Sequence, residues 1–275
     1  MKVIKNPKVL AFYSRRIIDM MTGKREMPPV KLSTPGQRKE SIHASDLDDN
    51  LCPLPAYYNH VIPPEQYPPL AIDSALKFFR GRVMERAVAE EEKPVFKDDI
   101  ACTVDDWPEE LKYPVEIKST ASTSTNFSPG KDFPFWISRL KTYCYAHDVD
   151  TMHLVVLFLV GNLPSFAFWT PKAERKLTGK YQGVDLDAWT ISFTTEEIEE
   201  HWDKILTRKA TLENCIAKET PPVPEFVEAN LPVRKRKNGK HNYWQCKGCR
   251  WIDICYYYED YVIGEKKTHV LEERP

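Results

Sequence analysis

The stretch V-E-I-K-S-T places a carboxylate and an amine two positions apart. In a β-strand, side chains two positions apart project from the same face, so Glu116 and Lys118 would share a surface while Ile117 faces the packed side. Asp105 ends an earlier strand-like run, and the intervening W-P-E-E-L-K-Y can form the turn that returns it beside them. Two carboxylates and a lysine at one point are suited to phosphodiester hydrolysis, because the carboxylates bind a divalent cation and the lysine orients or helps to deprotonate the attacking water. The alternative is that E-x-K is a solvated strand face.

A preceding amphipathic helix offers a third carboxylate. Within L-A-I-D-S-A-L-K-F-F-R-G-R-V-M-E-R-A-V, the residues Phe78, Gly81, Glu85 and Val88 follow three-to-four spacing and form one stripe. Glycine within a helix costs about 1 kcal/mol, so its presence indicates a packing reason. We expect Gly81 to let the helix approach the sheet, where Glu85 can supply a third metal ligand.

Cysteines form a second candidate site. Cys246, Cys249 and Cys255 follow C-x2-C-x5-C spacing, and Cys52 in N-L-C-P-L-P is the expected fourth ligand. Four thiolates suit either zinc or an iron-sulfur cluster, and spacing alone does not separate the two. The remaining three cysteines are expected to be small buried hydrophobic residues, namely Cys102, Cys144 and Cys215.

Composition indicates a globular protein in a reducing compartment. The chain has 275 residues, a formal net charge of −1 and 7 cysteines, and its most apolar segment, H-L-V-V-L-F-L-V-G, is too short to cross a membrane. The N-terminus lacks a long apolar run followed by a cleavage site, so no signal peptide is expected. We therefore predict a cytoplasmic protein without membrane association, in which clustered cysteines bind metal.

The order of predicted elements is typical of an α/β layer built on a mixed sheet. A helix over 8–21 precedes a proline-containing linker, and Ser45 is expected to cap a short helix that ends just before Cys52. Helix, three short strands, helix and further strands then alternate, including S-F-A-F-W-T and W-T-I-S-F, before a long C-terminal helix. We predict an extension and linker over 1–40, one domain over 41–260 and a tail over 261–275.

Three motifs in this order and spacing, R-G-R-V-M-E-R-A-V, C-T-V-D-D-W and V-E-I-K-S-T, resemble those of the PD-(D/E)xK nuclease superfamily, in its RecB-like and lambda-exonuclease-like branches. The resemblance implies a restriction-endonuclease-like core, with Glu85, Asp105 and Glu116 binding Mg²⁺ or Mn²⁺ and Lys118 as the catalytic lysine. The family's Q-x-x-x-Y helix motif aligns with R-L-K-T-Y, so Tyr143 matches and Arg139 replaces glutamine.

The cysteine pattern and its context resemble the iron-sulfur nucleases of the RecB-like group, including CRISPR-associated exonucleases. This resemblance implies a four-iron four-sulfur cluster on Cys52, Cys246, Cys249 and Cys255, which joins the N-terminal part of the domain to segment 241–258. It further implies a metal-dependent deoxyribonuclease, an exonuclease on single-stranded DNA or DNA ends. The alternative is a DNA-binding or end-trimming accessory factor in CRISPR spacer acquisition, antiviral defence or recombination, with an integrase-like or helicase partner.

DNA binding must come from local charge, since the net charge is slightly negative. The alternative for each basic run is an ordinary solvated surface. The candidates nearest the predicted site are Arg80, Arg82, Lys131, Arg139 and Lys141. Oligomeric state has no visible sequence signature.

Overall fold

The protein is a mixed α/β structure with two mixed sheets flanked by helices. The structure, a computed structural model, describes residues 1–26, 41–48, 51–69, 79, 81, 83, 85–86, 88–89, 94–120, 127–158, 186–224, 249–251 and 254–255. Among the helices of these ranges, none combines the length and apolar character needed to cross a bilayer.

The larger sheet has four strands in the order β1-β7-β6-β5. They are β1 (Lys2–Lys5), β5 (Val115–Thr120), β6 (Thr151–Phe158) and β7 (Leu186–Ser192). The central strand β6 pairs parallel with β5 and antiparallel with β7, and β1 pairs antiparallel with β7. Because β6 is buried along its whole length, its T-M-H-L-V-V-L-F sequence is almost continuously apolar.

The smaller sheet has the order β2-β4-β3, with β2 (Ile42–His43) parallel and β3 (Val95–Lys97) antiparallel to β4 (Ile100–Cys102). An isolated antiparallel bridge between Asp106 and Val115 links the chain leaving β4 to the start of β5. Residues 105–106 therefore run along the outer edge of β5.

Five helices have described bounds: α1 (Pro7–Met21), α2 (Leu54–Val61), α3 (Pro129–Asp132), α4 (Pro134–Ala146) and α5 (Thr195–Ala217). The Asn6 side chain caps α1, and Thr194 with Glu197 forms a capping box on α5. A further helix, here called the Glu85 helix, is recognised from the helical residues 79, 81, 83, 85, 86 and 88.

The four-stranded sheet is covered on both faces. On one face, called the α1 face, Val115, Ile117 and Val155 pack with Tyr13 of α1 and Val88 of the Glu85 helix. On the other, called the α4 face, the alternate residues of β6 pack with α4, α2 and α5; they are Met152, Leu154, Val156 and Phe158. Alternation along β5 therefore directs Glu116 and Lys118 towards the α4 face, beside Leu154 and Val156 in the parallel register.

Most predicted elements have their counterpart in the structure, but the region around Cys52 differs. A 3-10 turn spans Ala44–Asp46, and Asp46 accepts a hydrogen bond from the His43 backbone N–H at 3.1 Å, so Ser45 caps no helix. Cys52 precedes α2 instead of following a helix, because Pro53 and Pro55 suit a helix start.

The N-terminal segment differs from the predicted extension in its packing. β1 adds a fourth strand to the sheet through its pairing with β7, and α1 buries Val9, Tyr13 and Ile17 on the α1 face. The predicted strand S-F-A-F-W-T and the tail 261–275 lie outside the described residues.

Candidate active site

Asp105 is held against the outer edge of β5. Its Oδ2 accepts a hydrogen bond from the backbone N–H of Ile117 at 2.7 Å and lies 3.5 Å from Lys118 Nζ. The neighbouring Asp106 exchanges two backbone hydrogen bonds with Val115, at 3.2 and 2.8 Å. The W-P-E-E-L-K-Y segment thus returns Asp105 beside the E-I-K tripeptide, as the sequence predicted.

Glu116 is the most deeply buried acidic group of the site. Its residue is 1% exposed, and its carboxylate contacts the ammonium of Lys118 directly. Apart from this contact, neither carboxylate oxygen accepts a hydrogen bond within the described part of the chain. A carboxylate this deeply buried is costly in free energy even when it is paired with a lysine, and such buried ionised groups are common at functional sites.

Helix α4 contributes Arg139 and Tyr143 to the same site. Arg139 Nη1 lies 3.8 Å from Glu116 Oε1, beyond hydrogen-bonding distance but close enough for strong electrostatic attraction. Tyr143, one turn later, is buried, and burial together with the Glu116 charge raises its pKa well above the usual range. Its phenol therefore remains protonated at neutral pH.

Burial and charge shift the pKa values of the two β5 side chains. Burial raises the pKa of Glu116 to about 7, with Asp105 adding to the effect and Lys118 opposing it. Burial also acts to lower the pKa of Lys118, but the carboxylates Asp105 and Glu116 outweigh it, so that pKa is raised. Lys118 is therefore cationic at neutral pH while it lies between them.

The position of Glu85 relative to the site follows from the contacts between its helix and β5. An added Cβ on Gly81 would lie 3.6 Å from Ser119 Oγ, and Val88 packs with Val115 and Ile117. The Glu85 helix therefore approaches β5, as predicted, on the α1 face, whereas Glu116 and Lys118 point to the α4 face. The 3.6 Å distance is an ordinary van der Waals contact, so this approach does not itself require glycine. To join the site, the Glu85 carboxylate must reach Asp105 around the outer edge of β5.

The donor set fits a divalent cation. Asp105 and Glu116 are hard oxygen ligands, and a cation that binds Glu116 would have to take the place of the Lys118 ammonium that contacts it. Across the described ranges, no group of three or more His, Cys, Asp or Glu side chains is close enough to hold a metal ion. The structure thus brings two of the three predicted carboxylate ligands together, with Lys118, Arg139 and Tyr143.

Sequence reasoning missed the role of Asp106. Its Oδ2 accepts hydrogen bonds from Tyr13 Oη and Arg16 Nη1, each at 2.6 Å. Asp106 is 1% exposed, so α1 neutralises a buried carboxylate immediately beside Asp105. The adjacent aspartates are visible in T-V-D-D-W, but the partners of Asp106 lie in α1, far away in the sequence. The periodicity of helices and strands does not identify such distant contacts.

The candidate cysteine site brings distant segments together. Tyr58 of α2 packs against Trp251, with ring centroids 5.5 Å apart, and its hydroxyl donates to the Ile254 carbonyl oxygen at 3.3 Å. Trp251 lies between Cys249 and Cys255, and both cysteines and Cys52 pack half-buried against one core cluster. Cys246 lies outside the described residues. Burial raises the pKa of Cys249, so without a bound metal it remains a thiol.

The other predicted cysteines and the predicted basic residues differ in burial and in their contacts. Cys102 and Cys144 are fully buried, as predicted, whereas Cys215 is half-buried. Lys131 is exposed on α3, and the Lys141 ammonium lies over the Phe193 ring, 5.6 Å from its centroid. The remaining two candidates, Arg80 and Arg82, lie outside the described residues.

No protein-family model matches the sequence, and no curated protein matches it. Among solved structures, one match is described as "Crystal structure of SSO0001". Its sequence is 13% identical, the alignment covers 91% of this chain and 96% of that chain, and the TM-score is 0.42.

Proposed function

We propose that the protein is a Mg²⁺- or Mn²⁺-dependent deoxyribonuclease that hydrolyses phosphodiester bonds, acting as an exonuclease on single-stranded DNA or DNA ends. The observation that carries the proposal is the cluster of Asp105, Glu116 and Lys118 on β5 and its outer edge, in which the Glu116 carboxylate is buried and paired with Lys118.

Asp105 and Glu116 would hold the cation, with Glu85 as the further ligand. A bound divalent cation would neutralise the charge that develops on the phosphate oxygens and acidify a nearby water molecule. Lys118 carries its proton between the two carboxylates, so it orients the attacking water or donates to a phosphate oxygen. Tyr143 keeps its proton because burial and the Glu116 charge raise the pKa of its phenol. The phenol can therefore act only as a neutral hydrogen-bond donor or acceptor.

We further propose that the domain has a restriction-endonuclease-like core and an iron-sulfur cluster. The four-stranded sheet with Glu116 and Lys118 on β5 is the arrangement expected of a restriction-endonuclease-like core. Packing of Trp251 against Tyr58 supports a four-iron four-sulfur cluster on Cys52, Cys246, Cys249 and Cys255, because it brings the segments that carry three of these cysteines to one core cluster. The iron-sulfur cluster would then close a long loop of the chain that contains the catalytic residues.

Digestion of end-labelled DNA tests the catalytic proposal. Protein purified anaerobically is incubated with single- and double-stranded DNA and Mn²⁺, with a chelated sample as blank. Glu116→Gln and Lys118→Met should each lower the cleavage rate by at least about a hundredfold. Glu109→Gln and Lys112→Met, which alter exposed residues of the same segment, should leave it unchanged. Equal cleavage by all variants would refute the assignment of the site.

A second candidate is a DNA-binding or end-trimming accessory factor with weak or no independent nuclease activity, for example in CRISPR spacer acquisition or recombination. The observation that favours it is Arg139, whose positive charge 3.8 Å from Glu116 competes with a metal ion. DNA binding by the wild-type protein without Mn²⁺-dependent cleavage, together with co-purification of an integrase-like or helicase partner, would support this candidate over the nuclease.

A further inference from the structure

Helix α1 fixes the chain that carries Asp105. The Asp106 carboxylate is buried and receives two short hydrogen bonds, from Tyr13 Oη and Arg16 Nη1, on the same oxygen. The charged donor makes the second bond strong. Asp106 is in turn tied by two backbone hydrogen bonds to Val115, the residue before Glu116. These hydrogen bonds thus connect α1 to Asp105 through the adjacent residue.

The same arginine nitrogen also reaches the Glu85 helix. Arg16 Nη1 donates to the backbone carbonyl oxygen of Val88 at 2.8 Å, at the last described helical residue. A cation at a helix C-terminus is favoured by the helix dipole and by the unpaired carbonyl groups there. The Phe12 ring supports the arrangement, since the Arg16 guanidinium carbon lies 4.5 Å from its centroid.

One guanidinium nitrogen therefore bridges the two chain segments that carry Asp105 and Glu85. We propose that Arg16 is a positioning residue, which sets the separation of these two carboxylates and thereby the affinity of the site for a divalent cation. The inference rests on the proposed function, because it assumes that both carboxylates bind the cation. It explains why Arg16 and Asp106 form a nearly buried ion pair, with side chains 17% and 2% exposed, next to the site.

Direct measurement of Mn²⁺ binding tests the inference without depending on cleavage. The full-length protein is titrated with Mn²⁺ while the EPR signal of free Mn²⁺ is recorded, and Asp105→Asn identifies the binding that belongs to the site. Arg16→Met should weaken that binding about tenfold, the effect typical of losing an outer-shell partner of a metal ligand. Arg16→Lys should recover most of it, because both hydrogen bonds come from a single nitrogen that an ammonium can replace.

Controls separate positioning from general stability. Arg15→Met removes an exposed arginine of the same helix, which pairs with Asp19, and should bind Mn²⁺ as the wild type does. Ile17→Ala removes apolar packing of α1 but keeps the hydrogen bonds from Tyr13 and Arg16 to Asp106, so it should also leave Mn²⁺ affinity unchanged. If Arg16→Met fails to fold because Asp106 becomes an unpaired buried charge, the double variant Arg16→Met with Asp106→Asn removes that charge and should show the same tenfold weakening.

The outcomes are distinct. Wild-type affinity in Arg16→Met or in the double variant, or an equal loss in Ile17→Ala, would overturn the positioning role and leave the metal site standing. Equal Mn²⁺ binding by the wild type and Asp105→Asn would overturn both the inference and the metal site of the proposed nuclease.

Discussion

The guanidinium of Arg139 on α4 faces the buried carboxylate of Glu116 on β5, with Nη1 3.8 Å from Oε1. Lys118 contacts the same carboxylate, and Asp105 lies 3.5 Å from Lys118 Nζ. Two carboxylates and two cations therefore balance one another in this part of the described structure. A divalent cation that enters the site must compete with both basic side chains for Glu116.

Replacing Arg139 with glutamine should therefore tighten metal binding. Removal of a positive charge about 4 Å away is worth about 1 kcal/mol even at the dielectric constant of water. We expect the Mn²⁺ concentration for half-maximal DNA cleavage to fall at least about fivefold in Arg139→Gln. Lys141→Gln, two residues later on the same helix, serves as the control, because its ammonium lies over the Phe193 ring. Loss of cleavage with an unchanged Mn²⁺ requirement would instead identify Arg139 as a phosphate-binding residue.

The burial of Glu116 should make the stability of the metal-free protein depend on pH. The carboxyl pKa rises from 4.5 to about 7 on folding, so between these values the unfolded chain releases a proton that the folded protein retains. The contribution to stability is complete below pH 4.5 and is lost as the pH rises to about 7. Its full size is about 3 kcal/mol.

Melting curves of chelator-treated protein from pH 4.5 to pH 8 measure this effect. The wild type should lose stability relative to Glu116→Gln as the pH rises, because glutamine keeps the shape of the side chain without its charge. The exposed Glu109→Gln should follow the wild type at every pH. If stability changed with pH in the same way in the wild type and in Glu116→Gln, burial would not raise the pKa of Glu116 as described.

The E-x-K pair and the returning Asp105 could be predicted because they depend on local rules. Alternation in a strand placed Glu116 and Lys118 on one face, and a short turn segment limited where Asp105 could go. The predicted Ser45 cap was wrong because residues 43–46 form a self-contained 3-10 turn in which Asp46 binds the His43 N–H. Helix-start patterns do not distinguish such a turn from a true helix.

The contacts of α1 could not be predicted from the sequence. Helical periodicity identifies Tyr13 and Ile17 as part of the buried stripe, but it does not say which element covers that stripe. Nothing in the sequence around Arg16 indicates that it pairs with Asp106, which lies 90 residues away. The two aspartates of T-V-D-D-W also look equivalent in sequence, although one faces Lys118 and the other faces α1.

His153 should oppose the pH effect of Glu116. Burial lowers its pKa from 6.5 to about 4, and its Nδ1 is 3.1 Å from Thr190 Oγ1. Between these values the unfolded chain binds a proton that the folded protein excludes, so stability is present above pH 6.5 and is lost as the pH falls towards 4. We expect a loss of about 3 kcal/mol from this group.

The variant His153→Gln isolates the contribution, because glutamine can still hydrogen-bond to Thr190 but does not titrate. Its melting temperature should fall less than that of the wild type between pH 6.5 and pH 4. His60 is half-exposed on α2, and His60→Gln should follow the wild type. An equal acid-induced loss in His153→Gln and the wild type would exclude the buried imidazole as its cause.

The cysteine variants should separate cluster binding from the packing of the C-terminal segment. Cys52→Ser and Cys249→Ser should each lower the iron and sulfide content of anaerobically purified protein well below about four atoms per chain. Cys215→Ser is a matched control, because Cys215 is also half-buried against the same core cluster but lies outside the C-x2-C-x5-C pattern. Iron loss in Cys215→Ser equal to that in Cys249→Ser would contradict the assigned ligands, whereas zinc in place of iron would contradict the cluster and leave the catalytic site unaffected.

Trp251 should hold the C-terminal segment in place even when the metal is absent. It is 1% exposed and packs edge-on against Tyr67, with centroids 5.0 Å apart, as well as against Tyr58. Removing a buried tryptophan side chain costs about 3–5 kcal/mol, so Trp251→Ala should lower the melting temperature of metal-free protein strongly. Cys249→Ser should lower it little under the same conditions, since its thiol then contributes only packing. If the two variants were equally mild without metal, the segment would depend on the cluster alone, and Trp251 would not dock independently of it.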